Sequence, residues 1–415
     1  VHVIVTVPEK WDVMTRNSAA GGGLSDDGMQ KLVQLIIIDE VHLLNDDRGA
    51  VIETVVARSL RYQETSGQPC RLVALSATLP NYADVADFLR VEGENLFYFD
   101  SSYRPIPLDT SFLGITETNR MKQMAKLTEL TYDVVVEQVR SGHQVMVFVH
   151  SRGDTFKTAQ AMSQIAQEHN DAGKFDMRSH PQYGHWLKEV QKSRNRQVAM
   201  LYEIGMGMHH AGMLRADRSL TEKMFLAGVI PVLCCTATLA WGVNLPARSV
   251  VIKGTSIFDS SVGGYKDLGI LDVQQIFGRA GRPGFDTKGH ATLITSHDKL
   301  NNYLKLLLHQ MPIESKFLEN MANSLNAEIA MGNISSEKDA ADWLRYTYLY
   351  VRFFRTPQKY GITQQDFDSD PTLEKKRREF ANDAAQKLCN ARLIRIDNNK
   401  NYNPTDLGRV AARFY

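Results

Sequence analysis

Four consecutive apolar residues, Leu35-Ile36-Ile37-Ile38, run directly into Asp39-Glu40. Such a run is the pattern of a parallel-sheet strand buried on both faces, and it sets the two acids at the strand's carboxyl end, where open α/β sheets bind ligands. Upstream, residues 3–5 read as another buried strand, followed by a turn at Pro8 and a polar helix start. Downstream, Val51, Val55 and Leu60 share a helical face. Residues 72–75 form a short strand that ends in Ser76-Ala77-Thr78, and Asn81 with Asp84 caps a helix through Leu89. Strand, acids, helix, strand, helix is the order of a doubly wound α/β domain.

Residues 103–108, with Pro105 and Pro107, form an extended connector and a domain boundary. The pattern then restarts. Strands are expected at 145–149, 229–235, 249–252 and 291–295, and helices at 154–166 and 271–279, which makes a second α/β domain. From about Asp298 onward strand signals fade. Residues 300–308, 313–321, 340–350 and 373–388 read as helices, and Leu393-Ile394-Arg395-Ile396 opens a small hairpin. Several helices closed by a hairpin fit a winged helix. The expected division is therefore 1–108, 109–297 and 298–415.

At 415 residues the chain is long enough for two or three domains. Lys and Arg total 48 against 47 Asp and Glu, a net charge of +1, which excludes a histone-like polycation and an acidic tail but leaves room for a local basic groove. The four cysteines contain no C-x-x-C pair. They predict buried thiols in a reducing compartment rather than a disulfide scaffold. Residues 230–247 lie in the longest uncharged stretch, but Pro231, Asn244 and Pro246 make it a poor membrane span, so no membrane partner is expected. The chain opens on Val1 without a charged-then-apolar leader, which suggests a piece of something larger.

Chemistry concentrates at a few places. Asp39 at a strand end suits a Mg²⁺ held through water, and Glu40 suits the orientation of a water attacking a γ-phosphate; an isolated Asp-Glu pair is also common on a solvated loop. Ser76 and Thr78 can bond to those acids and couple nucleotide state to the rest of the chain. Gln275-Ile276-Phe277-Gly278-Arg279-Ala280-Gly281-Arg282-Pro283 is more specific. Arginines three apart share a helical face, and planar guanidinium groups grip phosphate oxygens in pairs. An arginine reaching a γ-phosphate from a second domain is worth about 10³–10⁵ in rate. Thr236 and Thr238 suit a sugar-phosphate backbone, and Gly242 with Asn244 a nucleotide edge. His209 and His210 point apart on a strand and make a poor metal pair, so loop or backbone contacts are expected of them. The run Lys375-Lys376-Arg377-Arg378 reads as a solvated helix face.

In this order the segments resemble the superfamily-2 helicases, in particular the DEVH-box tandem-cassette branch. V-T-V-P-E-K-W (5–11) is similar to the strand-contacting element of that family, Asp39 to His42 to its Walker B box, F-V-H-S-R (148–152) to the motif opening the second RecA-like domain, and H-L-L-N-D-D-R-G (42–49), L-N-A-E-I (325–329) and S-H-D-K-L (296–300) to branch-specific runs. The resemblance implies two RecA-like α/β domains, the first incomplete, followed by a winged helix. It implies ATP and Mg²⁺ as cofactors, with Asp39, Glu40, His42, Gly242, Asn244, Gln275, Arg279 and Arg282 around the nucleotide and Asp39 on the metal. Pro8, Lys10, Arg152, His210, Thr236 and Thr238 are implied on a tracked single or duplex strand of DNA or RNA, unwound 3′ to 5′. A hairpin within residues 254–269, with its tip at 259–264, is implied to split the duplex. Family members work in multiprotein complexes, in splicing, alkylation-damage repair or rescue of stalled ribosomes, which implies nuclear and cytoplasmic locations. The alternatives are a spliceosomal RNA unwindase and a non-catalytic helicase-like scaffold, against which every catalytic position present carries a competent residue type.

One element departs from the family. A P-loop reads G-x-x-x-x-G-K-[ST], and the single Gly-Lys pair, Gly173-Lys174, is followed by Phe175 with Glu168 at the first glycine position. The 415 residues alone are thus expected not to hydrolyse ATP, and the first α/β domain is expected to be the less stable part, with an exposed sheet edge.

Overall fold

A computed structural model describes residues 2–17, 32–77, 79–237, 239, 245–259, 263–307 and 312–414. The backbone forms two compact units, one of residues 1–98 with 311–415 and one of residues 99–310. The first unit is therefore discontinuous in sequence.

Its leading half holds α1 (Pro8–Asn17), β1 (Leu35–Ile38), α2 (Gly49–Ser66), β2 (Arg71–Ala74) and α3 (Tyr82–Leu89). β1 and β2 pair in parallel, from Leu35 opposite Arg71 to Ile38 opposite Ala74. Two expectations fail here. Residues 3–5 form no strand and stand exposed, and β1 is not buried on both faces: Leu35 and Ile37 are 49% and 61% exposed. The described sheet has two strands, and among the described residues that face of β1 is open. Asn81 precedes α3 as expected but does not cap it; its amide bonds instead to Asp84 Oδ2 (3.1 Å), the Ile313 carbonyl (3.1 Å) and the Tyr348 hydroxyl (2.9 Å).

The second unit is a six-stranded, all-parallel sheet built of β3 (Leu108–Ile115), β4 (Val145–Val149), β5 (Met206–His209), β6 (Val232–Thr236), β7 (Ser249–Lys253) and β10 (Gly289–Ser296), in the order β3-β10-β7-β4-β6-β5. β4 to β7 are near-continuous apolar runs because helices cover both faces of such a sheet. Those helices include α4 (Arg120–Arg140), α5 (Arg152–Glu168), α6 (Tyr183–Val190), α7 (Arg196–Glu203) and α8 (Arg215–Leu226). Cys234 and Cys235 lie fully buried in β6, and no described cysteine is disulfide-bonded. A separate antiparallel pair, β8 (Ser256–Asp259) and β9 (Gly264–Asp267), precedes α9 (Ile270–Phe277). The boundary expected at 297/298 falls instead at the start of α10 (His297–Leu307), which packs on β3 and β10, so this unit extends to Gln310.

The closing segment returns to the first unit as α11 (Phe317–Ala330), α12 (Glu337–Trp343), α13 (Tyr348–Arg355), α14 (Gln364–Ser369), α15 (Glu374–Asn390), the hairpin β11 (Ile394–Ile396) with β12 (Tyr402–Pro404), and α16 (Asp406–Ala411). The single helix expected over 340–350 is broken at Thr347, whose backbone is extended and whose hydroxyl caps α13. The helix expected from Ile313 begins only at Phe317, and the Ile313 and Ser315 amides bond to the Asn81 and Tyr360 side chains. Nor is the basic run a wholly solvated face: Arg377 is 3% exposed and donates to the Ala341 carbonyl at 2.5 Å.

α2 and α11 share one apolar core, in which Ala50 and Ala57 meet Phe317, Met321 and Leu325. Charge ties the two halves as well. Arg58 donates to Glu328 through Nε (2.9 Å) and Nη2 (2.6 Å) and lies 2.8 Å from Asp12. Arg352, 1% exposed, grips both oxygens of Glu314 at 2.9 Å and also bonds Asp84. Buried ions of this kind are tolerated only when each is paired.

Candidate nucleotide and nucleic-acid sites

In the first unit the turn after β1 is wired to the strand beside it. Leu75 donates to the Ile38 carbonyl and Val41 to the Leu75 carbonyl, both at 2.9 Å. These bonds force a tight turn in which Glu40 adopts φ 54°, ψ 45°, the left-handed region that most residues avoid. Asp39 faces solvent and accepts from the Glu40 amide at 3.0 Å. His42, fully buried, accepts from the Ala77 amide at Nδ1 (3.1 Å), while its Nε2 lies 3.0 Å from Glu40 Oε2. Ser76 Oγ stands 3.4 Å from the same Nδ1. His42 is thus a link between the acids and the Ser76 strand, not an exposed ligand contact. Partial burial, and secondarily the Asp39 charge, pushes the Glu40 carboxyl above the usual range; burial holds His42 below its ordinary value, as a neutral ring. Pro8 is half-buried and Lys10 exposed, both in the first turn of α1.

The second unit gathers another set of predicted residues. Arg152, His210 and Thr236 follow or end β4, β5 and β6, three adjacent parallel strands, so all lie at one carboxyl edge. Gly212 keeps two of them close: a Cβ there would stand 3.0 Å from Arg152 Cδ and 3.2 Å from His210 Nδ1. His209 points inward, 2.8 Å from Glu222. Arg152 also opens α5, whose first turn is capped by Ser151, so unpaired amides and a guanidinium share this edge.

The Gln-Arg-Arg segment lies elsewhere in the unit. Gln275 is half-buried in α9. Arg279 is half-buried, which lowers its pKa, and its carbonyl accepts from Ala247 at 3.0 Å. Gly281 has φ 90°, and a Cβ there would reach within 2.5 Å of Ile106 Cγ2, so only glycine fits. Arg282 is engaged within the protein: Nε bonds Asp286 Oδ2 (2.9 Å), Nη2 bonds Asp286 Oδ1 (3.1 Å) and Nη1 bonds Gln144 Oε1 (2.8 Å). Sequence reasoning missed Asp286 and Gln144. Asp286, four residues after Arg282, carried a local signal; Gln144, 138 residues away, carried none. Thr78, Thr238, Gly242 and Asn244 lie outside the described residues.

Comparison with known proteins now meets this geometry. Residues 1–85 match the DEAD/DEAH box helicase family, 184–284 the helicase conserved C-terminal domain, and 314–390 a winged helix-turn-helix domain. These matches give the chain helicase domains of RecA-like α/β type and a winged helix, as the motifs implied. Over its whole length it is 53% identical to the DExH-box ATP-dependent RNA helicase DExH14 of Arabidopsis thaliana, covering 19% of that protein. It is 52% and 49% identical to activating signal cointegrator 1 complex subunit 3 of Mus musculus and Homo sapiens, with 100% of this chain and 19% of each relative covered. The chain therefore spans about a fifth of the length of these relatives.

Proposed function

We propose that this chain is the motor portion of an ATP-dependent helicase that tracks one nucleic-acid strand 3′ to 5′. The observation that carries the reading is the packing of the acid turn, in which the buried His42 ring accepts from the Ala77 amide and lies 3.0 Å from the Glu40 carboxyl. A change at the nucleotide would be felt through it at Ser76. The acid pair fits a nucleotide with Mg²⁺: Asp39 is exposed at a strand's carboxyl end, and Mg²⁺ is commonly held by one or two carboxylates plus substrate phosphates. Bound ATP·Mg²⁺ supplies the phosphoanhydride and the charge that the metal neutralises. Glu40, with its raised pKa, orients the attacking water and takes up its proton. By the family resemblance Gln275, Arg279 and Arg282 would contact the nucleotide, and Arg282 would have to leave Asp286 and Gln144 to do so.

The strand would lie along the carboxyl edge carrying Arg152, His210 and Thr236; Pro8 and Lys10 are strand contacts on the family resemblance alone. Contacts to phosphates there give little sequence preference and a strong salt dependence. The β8–β9 hairpin occupies the segment expected to part a duplex. Among the described residues no helix is long and apolar enough to cross a membrane. Relatives named as a complex subunit support work within a multiprotein complex; alkylation-damage repair, rescue of stalled ribosomes and a nuclear and cytoplasmic location are proposed on the family resemblance alone.

The test is ATP hydrolysis by a form extended to the length of the relatives and carrying a P-loop, with and without single-stranded DNA or RNA, beside Glu40→Gln. Strand-stimulated turnover abolished by Glu40→Gln supports the motor. No stimulated turnover in the parent would leave the scaffold reading in its place.

A further inference from the structure

An isolated two-stranded hairpin is marginally stable in water at best. Among the described residues β8 and β9 bond to no other strand, β9 is mostly exposed, and Phe258 and Tyr265 are 57% and 59% exposed. Something outside the ladder must hold this hairpin. Two helices of the same unit supply it. Lys299 of α10 donates to Ser256 Oγ (3.1 Å) and to Asp267, and Ser256 and Asp267 are the cross-strand partners at the hairpin's base, so one ammonium spans both strands. Arg120, the first residue of α4, lies 4.7 Å over the Tyr265 ring and also donates to its hydroxyl, while Tyr265 meets Phe258 edge-on at 5.5 Å. Below them the root is fixed: Leu268 donates to the Thr255 carbonyl (2.7 Å), the Tyr303 hydroxyl donates to the Leu268 carbonyl (2.7 Å), and Thr255 and Thr295 share a buried hydrogen bond (2.6 Å).

We infer that Lys299 and Arg120 are positioning residues that brace the β8–β9 hairpin at its base and its middle, so that it stands at a fixed angle when it meets a duplex. The brace itself follows from the contacts; its role in unwinding rests on the proposed helicase function. It gives the S-H-D-K-L segment a task, since Lys299 is its fourth residue. A splitting element transmits translocation to base pairs only if it does not yield, and an unbraced hairpin of eight paired residues would yield.

Two measurements separate the brace from the helicase reading. The first is hydrogen exchange of the 415-residue protein, comparing Lys299→Met, Arg120→Gln and the double variant. A partly exposed ion pair and a cation–π contact are each modest, so exchange of the β8 and β9 amides should rise about threefold to tenfold for each single variant, with β4 and β7 unchanged. Lys299→Arg should restore most of the protection. Unchanged hairpin exchange in the double variant overturns the brace. The second compares duplex unwinding with strand-stimulated ATP hydrolysis in the extended form. The double variant should lose at least about tenfold in base pairs opened per ATP while hydrolysis stays within about twofold. Loosened hairpin amides with undiminished opening per ATP would overturn the role in unwinding while leaving the contacts intact. No hydrolysis in the parent would fail the helicase reading and with it that role, whatever the exchange shows.

Discussion

Glu53 lies fully buried between α2 and α13, with Oε1 accepting from Ser315 Oγ (2.5 Å) and Oε2 from the Leu349 amide (2.9 Å). Burial outweighs these hydrogen bonds and pushes its pKa from 4.5 up to about 8. The folded protein thus keeps a proton that the unfolded chain releases between those values. Stability from this group is fully present below pH 4.5 and is lost as pH rises to 8, at about 1.4 kcal/mol per pH unit. Glutamine does not titrate and can present its oxygen to Leu349 and its amide to Ser315. Glu53→Gln should therefore gain on the parent by about 2.7 kcal/mol between pH 5 and pH 7, two units of the slope. Any constant difference in hydrogen-bond quality cancels, as do the other titrating groups, buried His42 among them. The assay is urea unfolding of both proteins at pH 5, 6 and 7, with exchange of the α13 amides reporting the first unit separately. A difference that stays flat across this range would mean that Glu53 is buried as an anion, held by Ser315 and Leu349, and would refute the reasoning.

Other perturbations have equally definite outcomes. Arg58→Met leaves Glu328 and Asp12 buried without that partner and should destabilise the first unit by about 3–5 kcal/mol, read by the same unfolding assay. Asp286 is held below the usual carboxylate range, where burial is overcome by bonds from Arg282, so its contribution is present above its unfolded pKa and lost as pH falls through the lower folded value. Asp286→Asn should cost the second unit about 1–3 kcal/mol at pH 7 in thermal unfolding, and the gap to the parent should close toward pH 3. Arg152→Ala should weaken binding of every single-stranded oligonucleotide alike and reduce the slope of log K against log salt by about 0.7; an unchanged slope in fluorescence anisotropy would remove Arg152 from the phosphate track. Gly212→Ala, which crowds Arg152 and His210, should weaken the same binding without lowering thermal stability.

What could be read in the chain was whatever is local. Val145 to Val149 announce a buried strand by themselves, because a parallel strand under two helix layers needs no partner's identity to be apolar throughout. Asp39 and Glu40 were legible because a strand ended at them, whereas the hairpin was expected only from the family resemblance. Illegible were pairings that the fold makes across the molecule. Arg58 with Glu328 and Arg352 with Asp84 are separated by 270 and 268 residues, and as isolated letters each looks like a solvated charge. The same reasoning misplaced Arg377. Leu35 and Ile37 failed in the opposite sense, since their pattern describes a strand with covered faces and the described residues include no element over that side. Arg282 was read as free to reach a phosphate because nothing in the segment reveals that Gln144 stands beside it.

Both described ends of the chain, at His2 and Phe414, belong to the first unit, and the second unit is inserted between its halves. Tension applied at the ends is therefore borne first by the contact of α2 with α11 and by the paired charges of Arg58 and Arg352, which shunt the load around the inserted sheet. The six parallel strands carry no force until that contact shears. A single clip near residue 98 would likewise leave the halves associated, while the inserted unit would stay tethered at one end only.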